Sequence, residues 1–457
     1  MFKGVSFMYL AKKCISAVTS VAIAGSVLLS GCSSAPSQNT ASAAGSTPAA
    51  SSAAASTASD ASGSGPITVQ FWYGLTGALS DTVQSYVKKF NESQNKIVVK
   101  ATSQGDYYAE ATKLQAAIVA KNQPDMAQLE ISSCGQFGKS GQLADLKALL
   151  SDSDIAKYQP GLMKNSTING QVVAVPFNRS TPVLYVNKDL LKAAGLNESG
   201  PKNWDELKTF AAKLTNKSTG VYGYETPIDI WFYQAGVAEA GGQILDDKNQ
   251  VTFDNDAGTA VVQLWQDMAK AGTMKVPTGK NYDAWDKADQ DYINQKAAMI
   301  LESTGGLSGF LKSCKFNVGT AFIPADKTYG APTGGANLAI MKASSPEKQK
   351  ACAEFIKFLA QKENAANFSK DTGYMPATTE AVQSDIMQKL YQEHPQYKTA
   401  LDQLQYAVAT PITKDWTQMS DAIQDTLLQA MLDPSIAPAT AVHNAAQKVK
   451  EIADKQS

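Results

Sequence analysis

The apolar positions of this chain recur with two periods, and the period switches repeatedly along its length. Residues 67–73 (ITVQFWY) alternate apolar and polar side chains, the pattern of a strand with one buried face. Residues 81–90 place Val83, Tyr86, Val87 and Phe90 on one face of a helix. A second strand is predicted over 96–101, a helix from Tyr107 and Tyr108 to 121, and a third strand over 124–130. Residues 135–141 open a short helix ending at Leu143. Strand, helix, strand is the unit of a parallel α/β sheet.

The stretch VPFNRSTPVLYVNKD, residues 175–189, breaks this rhythm. A polar loop, 178–182, lies between two apolar runs, and 183–186 (VLYV) has the composition of a buried strand. Pro176 and Pro182 fix φ and remove backbone donors, so one uninterrupted strand is not expected. Arg179 is the only arginine in 457 residues. A guanidinium offers a fixed fork of donors for carboxylate or phosphate, which lysine cannot imitate. Two readings stand. Either Asn178, Arg179 and Ser180 line a polar site where the chain crosses between two lobes, or the genome disfavours arginine and Arg179 is a surface remnant.

Beyond it, 204–214 is an amphipathic helix with Leu207, Phe210, Ala211 and Leu214 on one face. An aromatic group, Trp231, Phe232 and Tyr233, follows a turn-rich approach over 223–229. Helices are predicted over 256–271 and 282–295, then a strand over 297–302 that runs into STGG at 303–306. Small and hydroxyl residues at such a turn expose backbone N–H groups that suit an anion or a polar oxygen. Further strands are expected at 316–323 and 338–341, the latter preceded by TGGAN at 333–337. Residues 346–359 form a helix, TGYMP at 372–376 a tight return, and the last third is helical over 380–391, 397–406, 415–432 and 438–452.

At the N-terminus, Lys12 and Lys13 precede an apolar run, 15–29, ending in LSGC at 29–32. A basic segment and an apolar run this short predict a secretory signal. Residues 33–65 are almost wholly Ser, Ala, Thr, Gly and Pro, cannot bury a core, and are expected to act as a disordered tether. Net charge is −1 with no basic cluster, which argues against a nucleic-acid partner. Cys134, Cys314 and Cys352 are odd in number and widely spaced, so at least one free thiol is expected in a monomer. With two distant histidines, His394 and His443, no metal site, His-based triad or cofactor is predicted.

Taken together, PFNxSTPVLYxNKD at 176–189, AAGL at 193–196 and NWDEL at 203–207 resemble the extracellular solute-binding proteins of ABC importers for sugars and polyols, most of all their glycerol-3-phosphate-binding branch. The resemblance covers roughly residues 66–430. It implies an α/β, two-lobed periplasmic-binding-protein-like (type II) fold, hinged, with the ligand cleft between lobes. LSGC resembles a lipobox, which implies cleavage and lipidation at Cys32. The N-terminal run and the composition after it thus predict a signal peptide over 1–32 and a tether over 33–65, and the crossings at 178–181 and 333–337 predict one lobe from 66–178 and 337–377 and the other from 181–332 and 378–457.

Sugar or polyol binding needs aromatic faces and polar groups in loops at element ends. Trp72, Tyr73, Tyr107, Trp231 and Tyr374 stand there, whereas Trp204 and Trp285 lie inside helices and are assigned to packing. The resemblance puts Tyr107, Ser180, Ser303, Gly335 and Tyr374 at ligand-contacting positions of the family. Its acidic contact falls at Ile131, with Glu130 adjacent, and its arginine at about Ile423. The ligand-binding set is therefore Tyr73, Tyr107, Glu130, Arg179, Ser180, Trp231, Ser303, Gly335 and Tyr374. Loss of the arginine leaves two ligands open: a phosphorylated polyol served by Arg179, or an uncharged sugar. The expected partners are that small molecule, the ABC permease subunits and, through the lipid, the outer face of the cell membrane. The competing functions are a secreted cell-surface glycoside hydrolase and an adhesin. Against the hydrolase, the acidic residues lie mainly on helices beside lysines, and no two are expected at strand ends facing one site.

Overall fold

The computed structural model describes residues 65–455. The expected signal segment, Cys32 and all of the tether but Gly65 lie outside the described residues.

Two five-stranded sheets form the centres of two lobes. The first sheet runs, in spatial order, Ile97–Ser103, Ile67–Tyr73, Met126–Glu130, Gly334–Ile340 and Val175–Ser180. Its first three strands are parallel, as the strand–helix–strand opening requires, and Gly334–Ile340 runs antiparallel to both of its neighbours, so Val175–Ser180 runs with the first three. The second runs Val318–Ala321, Pro182–Asn187, Met299–Ser303, Tyr224–Glu225 and Met274–Lys275. Helix Gly77–Ser93 buries the predicted stripe Val83, Tyr86, Val87 and Phe90 in the first-lobe core, with Val69, Phe71 and Tyr73 of the opening strand. The second-lobe core gathers Leu184, Val186, Phe232 and Trp265 with Trp416, Ile423 and Val449 of the C-terminal helices.

The polar loop expected over 178–182 shrinks to one residue. Strand Val175–Ser180 belongs to the first sheet and strand Pro182–Asn187 to the second, with Thr181 alone between them. Pro176 is tolerated because its strand lies at the edge of its sheet, where no neighbour needs a second row of donors. A second crossing passes from Ala331–Pro332 through Thr333 into strand Gly334–Ile340. Ala331–Pro332 pairs in parallel with Ala407–Val408, bringing a third passage of chain to the hinge. Helix Lys362–Thr372 serves both sides: Phe368 joins the first-lobe core, while Ala365 and Ala366 pack with Val183 and Tyr185 of the second sheet.

Two local expectations shift. The helix expected from 135 begins at Ile131, directly off its strand, because the Glu130 carboxylate accepts from the N–H groups of Ser132 and Ser133 and caps it. The aromatic group at 231–233 is not a loop but opens helix Ile230–Glu239, capped by Asp229.

Candidate functional site

Between the lobes lies a cavity of about 340 Å³. The first lobe contributes Tyr107 and Tyr108 from the start of helix Tyr107–Val119, and Glu130, Ser132 and Ser133 from the strand-to-helix turn. Trp231, Tyr282, Trp285, Glu302 and Ser303 come from the second lobe. Ser180, Gly334 and Gly335 supply the hinge floor, Tyr374 the tight return, and Trp416, Thr417 and Ser420 the first turns of helix Trp416–Leu432.

The first-lobe wall is one connected network. Gly74 N–H donates to Gln128 Oε1 at 3.0 Å, Gln128 Nε2 donates to Asn178 Oδ1 at 2.6 Å, and Asn178 Nδ2 donates to the Tyr107 hydroxyl at 2.7 Å. The Tyr374 hydroxyl joins the same group. Asn178 is fully buried, so it supports the site from beneath. Burial raises the Glu130 carboxyl, while hydrogen bonds from Ser132 and Ser133 and the Arg179 charge pull it back.

Glycine is required at the floor. Gly335 has φ +74°, and a β-carbon there would lie 1.9 Å from the Asn178 carbonyl oxygen. At Gly334 a β-carbon would meet the Trp231 ring at 2.4 Å, so the bare backbone is what lets that ring lie on the hinge. Trp231 stacks on Trp285, and Trp285 on Tyr282, with centroids 6.0 Å apart in each pair. Tyr282 also reaches across the cleft to Tyr107 and Tyr108, at 6.3 and 6.2 Å.

Seven of the nine residues singled out from the sequence line this cleft: Tyr107, Glu130, Ser180, Trp231, Ser303, Gly335 and Tyr374. Tyr73 does not. Its strand alternation turns the ring into the first-lobe core, where its hydroxyl meets Ser80 and Gln84. Arg179 does not either. It is fully buried behind the floor, donating to the carbonyls of Gly334 and Leu162, to Asn337 Oδ1 and to the Thr333 hydroxyl at 2.8–3.2 Å. Burial lowers its guanidinium to about 10, and the Glu130 charge resists that shift. The sole arginine is thus neither a ligand contact nor a surface remnant but a tie between the two crossings. Ile423, where a site arginine was expected, is buried in the second-lobe core; one turn earlier, Ser420 faces the cleft instead.

Two expectations about site chemistry fail. Trp285, assigned to packing, lines the cleft, and so do Tyr108 and Tyr282. The expectation that no two carboxylates at strand ends face one site is also wrong: Glu130 ends one strand, Glu302 lies next to the end of another, and both line the cavity with Asp106, Asp229, Asp286 and Asp289. The signal was present as helical spacing. Tyr282, Trp285, Asp286 and Asp289 stand at i, i+3, i+4 and i+7 of helix Asn281–Ile293, one stripe that mixes aromatic and acidic side chains.

Comparison with known proteins sets this cleft in context. The sn-glycerol-3-phosphate-binding periplasmic protein UgpB of Pectobacterium atrosepticum is 29% identical over 367 residues, covering 76% of this chain and 81% of that protein. UgpB from Mycobacterium tuberculosis, solved in complex with glycerophosphocholine, superposes with a TM-score of 0.76 at 26% identity, covering 86% of this chain and all of that one. Maltose-bound MalE3 of T. maritima gives 0.75 at 25% identity, covering 84% and 100%. The family described as bacterial extracellular solute-binding protein matches residues 85–399. This chain belongs to that family.

Proposed function

We propose that the protein captures a carbohydrate or polyol in the cleft, outside the cell, and hands it unchanged to the permease of an ABC importer. The observation that carries this reading is the wall-to-wall set of aromatic rings and hydrogen-bonding groups that two lobes bring to one cavity of about 340 Å³. The ligands named for UgpB and MalE3 belong to the same chemical classes. The cavity also argues against a phosphate. Among the described residues no Lys, Arg or His lines it, while six carboxylates do. An uncompensated phosphate there would add charge to charge at a cost of several kcal/mol.

A thermal-shift screen of sugars, polyols and their phosphates tests the class, because a solute that binds only the folded state raises the midpoint with its concentration. Stabilisation by phosphorylated members alone would overturn the uncharged reading. The six carboxylates bear on the hydrolase alternative, and turnover decides it: ligand recovered intact after prolonged incubation marks a binding protein. Attachment is proposed through a lipid on Cys32, with a monomer free to reorient on its tether. Cys32→Ala should release the protein into the medium with its affinity intact; a variant that stays on the membrane refutes the anchor.

A further inference from the structure

Three of the cleft's six carboxylates already have donors and a settled place. Glu130 caps its helix, Asp106 accepts from Ala109 N–H at 2.8 Å, and Asp229 accepts from Trp231 N–H at 2.8 Å and from Trp285 Nε1 at 3.1 Å. Glu302 is different. The residue lines the cavity yet is only 6% exposed, its Oε1 accepts from Ser303 N–H at 2.8 Å, and its buried Oε2 has no partner. Oδ1 of Asp289 also lacks a partner. The charges of Asp289, Asp229 and Asp286 all act on Glu302, and burial together with them pushes its carboxyl well up; burial and Asp286 push Asp289 to about 8. The stacked rings of Trp231, Trp285 and Tyr282 line the same cavity.

A neutral hydroxyl could donate to one of these oxygens, but the raised carboxyls, which hold protons in the ligand-free protein, would still meet charge with charge on ionising. An ammonium does both: it brings three donors and a positive charge, and aromatic faces attract it further. No group of three or more His, Cys, Asp or Glu among the described residues has the arrangement to hold a metal ion instead. We infer that the ligand is a carbohydrate or polyol bearing a protonated amine, seated between Glu302 and Asp289 against Trp231 and Trp285. The inference rests on the carbohydrate-binding reading above and narrows it.

The test is calorimetric titration of the purified protein, over about pH 6 to 8 so that both the amine and the raised carboxyls are sampled in their charged forms, with matched pairs: glucosamine against glucose, and the β-1,4-linked glucosamine disaccharide against cellobiose. The amine member of at least one pair should bind about tenfold tighter or better, and added salt should erode that advantage. Glu302→Gln should reduce the amine-to-neutral affinity ratio at least about tenfold, and Asp289→Asn, whose side chain is less enclosed, should reduce it in the same direction. Neutral members that bind as tightly as their amines, or a preference that survives both substitutions, overturn the inference while leaving the solute-binding reading intact. If no member of either pair binds and the wider screen finds no carbohydrate or polyol, both readings fall together.

Discussion

The two walls of the cleft are built on opposite plans. On the first-lobe side, Gly74, Gln128, Asn178 and Tyr107 pass hydrogen bonds in sequence, and the Glu130 carboxylate is held by its own helix. On the second-lobe side, Trp231, Glu302 and Asp289 line the cleft, and Trp231 Nε1, Glu302 Oε2 and Asp289 Oδ1 are all buried without a partner. A buried polar atom left unpaired costs about 1–3 kcal/mol. One wall is therefore complete by itself, and the other is completed by what binds. A solute that touches both walls makes its full set of contacts only with the lobes apposed, so those contacts favour that arrangement over one with the lobes apart.

The largest effect that separates the two plans is expected at Arg179. Its four hydrogen bonds hold Gly334 of the floor and, behind it, Leu162, Thr333 and Asn337. Arg179→Leu strands those acceptors and should lower unfolding stability by roughly 3–5 kcal/mol, read by denaturant titration. The affinity of the molecules that remain folded should change little. Normal stability with lost binding would instead return Arg179 to the site. On the second wall the balance reverses. Trp231 is only partly buried, packs on Gly334 and stacks on Trp285. Trp231→Ala should weaken binding by about 10- to 100-fold, or roughly 1.4–2.8 kcal/mol, with a smaller loss of stability. Equal losses in both measurements would make Trp231 a packing residue.

This contrast explains what was legible in the chain. Strand and helix periods located the core faces, as Val83, Tyr86, Val87 and Phe90 illustrate, because burial on one side imposes the period directly. The crossing at Thr181 was visible as two apolar runs around Asn178 and Arg179. What a side chain faces at a crossing is less legible. The uniqueness of Arg179 signalled a specific role, but a guanidinium binds carbonyls as readily as ligand oxygens, and only the fold shows which surround it. Tyr73 stands at a strand end like a ligand contact, yet strand parity points it inward. Trp285 and its acidic neighbours were passed over because helix interiors were assigned to packing. A helix has two faces, and the face of Tyr282, Trp285, Asp286 and Asp289 meets the cleft.

A subtler probe of the second wall is pH. Burial and Asp286 hold the Asp289 carboxyl up at about 8, far above its range in an unfolded chain. Between those limits the folded state binds the extra proton, so the ligand-free protein should lose stability as pH rises through the window. Asp289→Asn removes that titration. Its thermal midpoint should therefore depend less on pH between about 5 and 8 than that of the parent, and an unchanged slope would mean that Asp289 does not titrate there.

The smallest effect expected lies where the two walls touch directly. Helix Trp416–Leu432 packs into the second-lobe core through Trp416, Met419 and Ile423, yet the Thr417 hydroxyl donates across to Gln136 Oε1 of the first lobe at 3.0 Å. This bond exists only while the lobes face each other and contributes little to the fold of either. Thr417→Val keeps the side-chain shape and removes the donor. The loss should be about 0.5–1.5 kcal/mol, the net worth of one hydrogen bond, and should fall on the equilibrium between apposed and separated lobes. Ligand affinity should drop by about two- to tenfold, while the ligand-free thermal midpoint stays within about 1 °C. A midpoint that falls while affinity holds would show that Thr417 supports its own lobe and that the bond to Gln136 has no part in closing the cleft.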